Sequence, residues 1–191
     1  MRTRPHRYAL ASQLSLAVFI GVCVAVHPGL VLKWNEAGLS NYGVHLATIV
    51  PYSLAFALSA FFALGAARSL HGDRASLRAL RVVLRAYALL SALALVSTYG
   101  YTIHPTLHHV HVVVGITLML FEPAVSVWLF LRLRGHGHDG YWLAVELAGL
   151  VVAVIDYEAL LHVLFLAQVL TGVGFGVLLV HGVRHLEVAR R

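Results

Sequence analysis

The sequence predicts an all-α, polytopic membrane protein with six transmembrane helices and both termini in the cytoplasm. The chain has 191 residues, of which 60% are hydrophobic and only 12% are charged, and its mean hydropathy is +0.82. A water-soluble domain carries about 25% charged residues, so lipid is the expected solvent. Long apolar runs and a one-sided distribution of arginine are the other two observations behind this prediction.

The apolar runs are long enough, or nearly so, to cross a hydrocarbon layer of about 30 Å, which takes about 20 helical residues. They are predicted at residues 8–27, 46–67, 79–100, 109–132, 141–156 and 159–182. The last two share one apolar stretch, which we divide at Asp156-Tyr157-Glu158 because two acids are costly at the centre of a single span. The sequence does not fix the residue at which the turn between the fifth and sixth spans falls. The short connections leave no separate soluble domain, so residues 1–191 form one domain.

Arginine sets the predicted orientation. With six spans, every arginine falls on the same side as the termini, and Lys33 alone falls on the other. By the positive-inside rule that side is cytoplasmic, and the protein is expected in the cell membrane. The formal net charge of +6 is therefore explained by arginines that set the orientation of the spans in the membrane. Nucleic acid is not an expected partner. The single cysteine, Cys23, excludes internal disulfides and multi-cysteine metal sites.

Histidines gather at the outward ends of the predicted spans, most densely in YTIHPTLHHVHVVV, from Tyr101 to Val114. His104 precedes Pro105, which disfavours helical geometry at the preceding residue and suits the first helical position itself. The fourth span is thus expected to begin near Pro105, with His108 and His111 on one face. His109 points about 100° away from them.

The outward connections supply the candidate ligands for a metal. Zinc takes three or four protein ligands, and His108 with His111 could provide two. The others come from the remaining connections: His27, His45, Asp156, Glu158 and His162. Further outward polar candidates are Glu36, Ser40, Asn41 and His104. The alternatives are histidines that merely lie at the headgroup level, a metal site, an acid–base or phosphate contact, and a haem with two axial histidines near the outer surface.

Ionisable residues inside spans are functional candidates because they are costly in lipid. Glu122 lies near the middle of span four, and we expect it to bond to Gln13, Gln168 or a serine, or to line a polar cavity. Arg85 and Glu146 lie at similar depths, which predicts a buried ion pair between spans three and five. The glycines of span six are expected to allow close helix packing; they are Gly172, Gly174 and Gly176.

Two short segments carry a resemblance to a known family. The outward loop after the first span contains Glu36-Ala37-Gly38-Leu39-Ser40-Asn41-Tyr42-Gly43, and the connection before span four contains His104-Pro105-Thr106-Leu107-His108-His109. With six spans, this pattern resembles the bacterial six-helix membrane proteins of unknown function related to the DRAM-type autophagy modulators and the GPI-lipid remodelling proteins. The resemblance implies membrane-lipid handling and transfers no catalytic residue.

Three functions are compatible with the sequence. The favoured one is a non-enzymatic membrane protein that binds or organises lipid, or a partner membrane subunit, through its outward histidine-rich surface. The second is a zinc-dependent membrane hydrolase acting on outer-leaflet lipid, with His108, His111, an acid such as Asp156 or Glu158, and Ser40 as a further candidate. The third is an electron-transfer subunit that holds haem or copper.

Overall fold

The structure, a computed structural model, describes residues 4–29, 31, 35–100, 104–133, 138–156 and 163–188. Over these ranges the chain is all-α, as predicted. The helices are α1 (Pro5–Val26), α2 (Asn41–Val44), α3 (Ile49–Ser69), α4 (Ala75–Gly100), α5 (Pro105–Leu133), α6 (Asp139–Asp156) and α7 (Leu164–Val188). A 3₁₀ helix, Asn35–Ser40, leads directly into α2.

Five of the helices, α1, α3, α4, α5 and α7, are long and apolar enough to cross a membrane by length and composition. The exception among the long helices is α6, whose 18 residues extend roughly 27 Å. It contains Asp139, Glu146 and Asp156, and all three side chains are buried, with exposed fractions of 3%, 0% and 3%. The acids that lower the hydropathy of α6 therefore face protein and not the surface of the bundle.

The long helices alternate in direction and form a ring in which α7 also packs against α5. At one end, which we call the terminal end, α1 begins, α7 ends, and His6 meets Glu187. At the other, which we call the loop end, α1 and α4 finish, α3, α5 and α7 begin, and the 3₁₀ helix and α2 pack. Two apolar clusters of buried side chains form the core between the ends.

Small residues bring two helix pairs together. On α3, Ala55, Ala63 and Ala66 are fully buried, and α1 lies close enough for Ser12 Oγ to donate to the Ser59 carbonyl at 2.9 Å. On α7, a Cβ atom at Gly174 would lie 2.8 Å from the Trp142 carbonyl of α6. Glycine is needed there because any larger side chain would push the two backbones apart, which confirms the predicted packing role of Gly174. The same prediction is wrong for Gly172, where a Cβ atom would have no neighbour within 4 Å.

The helix boundaries follow the predicted spans with local shifts. Helix α5 begins at Pro105, as the sequence indicates, and α6 ends at Asp156, where we placed the turn before the last span. Helix α7 begins at Leu164 and continues to Val188, beyond the predicted 182, because its last turns are held by contacts with the start of α1. Residues 157–162 lie outside the described part of the chain.

The predicted ion pair between Arg85 and Glu146 is wrong. Glu146 is fully buried, and neither of its carboxylate oxygens makes a hydrogen bond to any described residue. Arg85 lies on the exposed face of α4. Matching the depth of two residues does not fix the direction in which each side chain points, and α4 and α6 do not form an extensive contact.

Candidate functional site

A cavity of about 1450 Å³ lies between α1, α5 and α7. Both α1 and α5 pack against α7, but they make no extensive contact with each other. Side chains that line the cavity yet remain exposed at the surface include Leu14, Leu120 and Val173. The cavity therefore opens sideways, between helices that are apolar enough to be surrounded by lipid.

The cavity walls are mainly apolar, with polar groups at separated levels. Glu122 of α5 lines the cavity in its middle part, together with Gln13 and Gln168. The cavity is mainly apolar there, so the expected polar cavity around Glu122 stays a prediction. His181 and Arg184 line it towards the terminal end, while Ser40, His108 and His111 line it at the loop end. Small-molecule sites usually measure about 300–1,000 Å³, so this one has room for a larger, elongated ligand.

At the loop end, both ring nitrogens of His111 make hydrogen bonds. Its Nε2 atom lies 2.7 Å from Ser40 Oγ, and its Nδ1 atom lies 3.0 Å from Ser97 Oγ. Ser97 Oγ in turn donates to the Ala94 carbonyl at 3.1 Å. The three side chains come from the 3₁₀ helix, α4 and α5, so the arrangement exists only in the folded bundle.

Ser40 is positioned by an anchor between the loop and α7. The backbone N–H of Leu39 donates to Gln168 Oε1 at 2.8 Å. Gly38 has a φ of +57°, and a Cβ atom there would clash with the same oxygen. Glycine is therefore required both by the left-handed backbone and by the close approach of the Gln168 amide.

Local structure on either side of Ser40 holds the loop in place. Tyr42 of α2 is buried against Phe165 of α7, with ring centroids 5.8 Å apart. Burial raises the pKa of the Tyr42 hydroxyl above its ordinary value, so this side chain stays neutral. Thr48 Oγ1 donates to the Tyr42 carbonyl at 2.7 Å and connects the loop to the start of α3.

The position of His111 follows from where α5 begins. His104 precedes the helix, and its Nδ1 atom accepts a hydrogen bond from the Thr106 N–H at 3.2 Å, which caps the first turn. His108 and His111 both line the cavity, as their spacing predicts, whereas His109 does not. The rings of His108 and His109 lie 5.9 Å apart.

The other candidate metal ligands do not assemble around His108 and His111 in the described ranges. His27 and His45 do converge, with ring centroids 5.2 Å apart. Asp156 is buried, and its Oδ2 atom accepts the N–H of Val163, the residue before α7, at 2.7 Å. Among residues that the structure describes, no group of three or more His, Cys, Asp or Glu side chains could hold a metal ion.

Some candidates lie partly or wholly beyond the described residues. Glu158 and His162 fall within 157–162, and the side chain of Glu36 is likewise outside the description, although its backbone belongs to the 3₁₀ helix. Asn41 begins α2.

Sequence reasoning missed Ser97 and the role of Gln168 at the loop end. Ser97 lies one turn before the end of α4, and His111 lies less than two turns into α5. Because a short connection joins these helices, equal depth on neighbouring helices is the signal that could have paired them. The histidine–acid pairs His6–Glu187 and His181–Asp139 were also missed.

No protein-family model matches the chain, and neither curated proteins nor solved structures give a significant match.

Proposed function

We propose that this protein is a six-span component of the cell membrane, with both termini cytoplasmic, that binds membrane lipid in the lateral cavity between α1, α5 and α7. The acyl chain would lie along the apolar walls, and the polar part of the lipid would lie at the loop end near Ser40, His108 and His111. The family resemblance in the two loop-end segments points to lipid handling as well, and it remains a prediction.

The distribution of charge supports this topology. All described arginines lie within about three helical turns of the terminal end; they are Arg4, Arg7, Arg68, Arg74, Arg78, Arg81, Arg85, Arg132 and Arg184. The inward-facing acids of α6 support its assignment as the sixth span, since its outer surface carries Tyr141, Leu147, Val151 and Val154.

The cavity is the observation that carries the lipid assignment. Its side opening is bordered by exposed apolar side chains of three helices, so a ligand could enter from the bilayer without crossing water. A lipid is the abundant ligand that has a long apolar part and a polar part at the depth of the loop end. The zinc and haem hypotheses gain no comparable support from the side chains described.

Glycines in the cavity lining allow a direct test by filling the cavity. Gly21, Gly115 and Gly172 line it from α1, α5 and α7, and a Cβ atom at each would have no neighbour within 4 Å. Gly115→Leu and Gly172→Leu should therefore occupy ligand space without a clash, and leucine is about 1 kcal/mol better than glycine in a helix. Ala124→Leu, on an exposed position of α5 outside the cavity lining, is the matched control.

The measurement is the amount of lipid extracted per mole of detergent-purified protein, quantified by mass spectrometry. We expect both glycine variants to retain several-fold less lipid than the wild type and Ala124→Leu to retain the same amount. Equal retention in all four proteins would contradict binding in this cavity. So would a co-purifying membrane polypeptide in place of lipid, since a partner subunit is the alternative occupant.

A further inference from the structure

The loop end of the cavity carries a hydrogen-bond chain that runs from the Ala94 carbonyl through Ser97 and His111 to Ser40. Ser97 Oγ donates its hydrogen to the Ala94 carbonyl, so its oxygen is an acceptor for His111 Nδ1–H. A neutral imidazole that carries its proton on Nδ1 has a lone pair on Nε2. That lone pair faces the Ser40 hydroxyl at 2.7 Å.

We propose that Ser40 and His111 form a nucleophile–base pair that hydrolyses a carboxylic ester of a membrane lipid. This activity rests on the proposed lipid-binding function and adds a reaction to it. A serine hydroxyl is a weak nucleophile until an adjacent base takes its proton, and a third group commonly orients that base. Here Ser97 is the positioning residue, because it fixes the tautomer and the ring orientation of His111.

The reaction balances without any group other than water. His111 Nε2 takes the Ser40 proton while Ser40 Oγ attacks the ester carbonyl carbon, and the proton then passes to the alkoxy oxygen as its bond to the acyl carbon breaks. The lipid alcohol leaves, and the acyl group stays on Ser40 as an ester. Water attacks this ester with His111 as base, which releases the fatty acid and restores the Ser40 hydroxyl.

The surroundings suit an ester whose chain lies in the cavity. Both Ser40 and His111 line the loop end of the cavity, where the carbonyl group of a lipid would follow the polar headgroup. Gln168 lines it too, and its Oε1 atom is already occupied by the Leu39 N–H. Its amide nitrogen carries the donors, and we assign Gln168 Nε2 to the negative charge that develops on the carbonyl oxygen.

A purely structural set of hydrogen bonds between Ser40, His111 and Ser97 would show the same distances. The test must therefore measure the reactivity of Ser40. The full-length protein in detergent is treated with a fluorophosphonate, which forms a covalent adduct only with an activated serine, and the modified peptide is identified by mass spectrometry. We expect the adduct on Ser40. Labelling should disappear in Ser40→Ala and fall at least tenfold in His111→Gln.

Ser15→Ala is the matched control, since Ser15 bonds within α1 to the Ala11 carbonyl and lies outside the cavity lining. Gln168→Glu is a second, narrower variant, because it keeps an oxygen for the Leu39 N–H and removes the proposed donor. We expect Gln168→Glu to lower the turnover of p-nitrophenyl butyrate, a water-soluble ester, while the melting temperature stays within a few degrees of the wild type.

Failure of this proposal is distinguishable from failure of lipid binding. A folded protein that retains lipid but leaves Ser40 unmodified by the fluorophosphonate would overturn the nucleophile assignment and leave the lipid function standing. Hydrolysis of p-nitrophenyl butyrate needs no long acyl chain, so wild-type turnover that is lost in Ser40→Ala supports the pair even where no lipid is retained. Turnover that is unchanged in Ser40→Ala would overturn it.

Discussion

Histidines occupy both ends of this helical bundle, but their partners differ. At the terminal end, His6 Nδ1 lies 2.9 Å from Glu187 Oε2, and His181 Nδ1 lies 2.6 Å from Asp139 Oδ1. At the loop end, His111 lies between two serine hydroxyls. A carboxylate only accepts hydrogen bonds, so the imidazole must donate to it, and the bond connects two helices. A serine hydroxyl can also donate, so one ring nitrogen of the imidazole can remain an acceptor. The same residue type is therefore structural at one end and suited to chemistry at the other.

The largest expected effect comes from removing the proposed base. In His111→Gln the amide can still bond to serine but cannot take its proton, and a general base contributes about 10²–10⁴-fold. We expect the initial rate of p-nitrophenyl butyrate hydrolysis to fall by that factor. His6→Gln, at the terminal end, is the control and should keep the wild-type rate. Similar losses in both variants would remove the functional distinction between the ends.

The next largest effect is structural and belongs to the terminal end. His181→Leu leaves the buried Asp139 carboxylate without its bond to His181, and its Oδ2 atom already has no hydrogen-bond partner among the described residues. Stranding a buried polar group costs about 1–3 kcal/mol, measurable as a lower unfolding midpoint in a denaturant titration. The double variant His181→Leu/Asp139→Leu should recover part of the loss. A double variant that is less stable than His181→Leu would show that the loss does not come from the unpaired Asp139 carboxylate.

A smaller effect is expected at Ser97, the positioning residue. A neutral hydrogen bond contributes about 1 kcal/mol, so Ser97→Ala should slow ester hydrolysis roughly five- to tenfold, and Ser97→Thr should restore most of the rate because it keeps the hydroxyl. The pH–rate profile of Ser97→Ala should also shift, since the alanine no longer holds one tautomer of His111. A rate loss that threonine does not rescue, with an unchanged profile, would indicate altered packing instead.

The smallest effect concerns His6 and Glu187, which connect the first and last helices. Both side chains are partly exposed, and such pairs contribute about 0–1 kcal/mol. Glu187→Gln should therefore lower the free energy of unfolding by less than His181→Leu does, and it should leave ester hydrolysis unchanged. A loss larger than that of His181→Leu would mean that the terminal end is held mainly by this outer pair.

Much of the fold could be predicted because its signals are local. Composition and the length of the apolar runs predicted an all-α chain with long apolar helices, and Pro105 gave the start of α5. The shared face of His108 and His111 followed from helical spacing alone. The contact between His111 and Ser40 could not be predicted in the same way, because Ser40 is 71 positions away in sequence and meets His111 only through the packing of α7 against the loop. The Arg85–Glu146 prediction was wrong because it compared how deep the two residues lie in the membrane without knowing in which direction each side chain points.

The inward-facing acids of α6 have a consequence for the way the protein is made. An acidic residue inside an inserting helix is costly in lipid, and α6 carries Glu146 in its interior and an aspartate at each end. Helix α7 follows after a short connection, and Gly149 and Gly174 let the two backbones touch. For the six-span topology proposed above, we expect α6 and α7 to leave the translocon as a preformed hairpin, so that synthesis of α7 decides whether α6 enters the membrane.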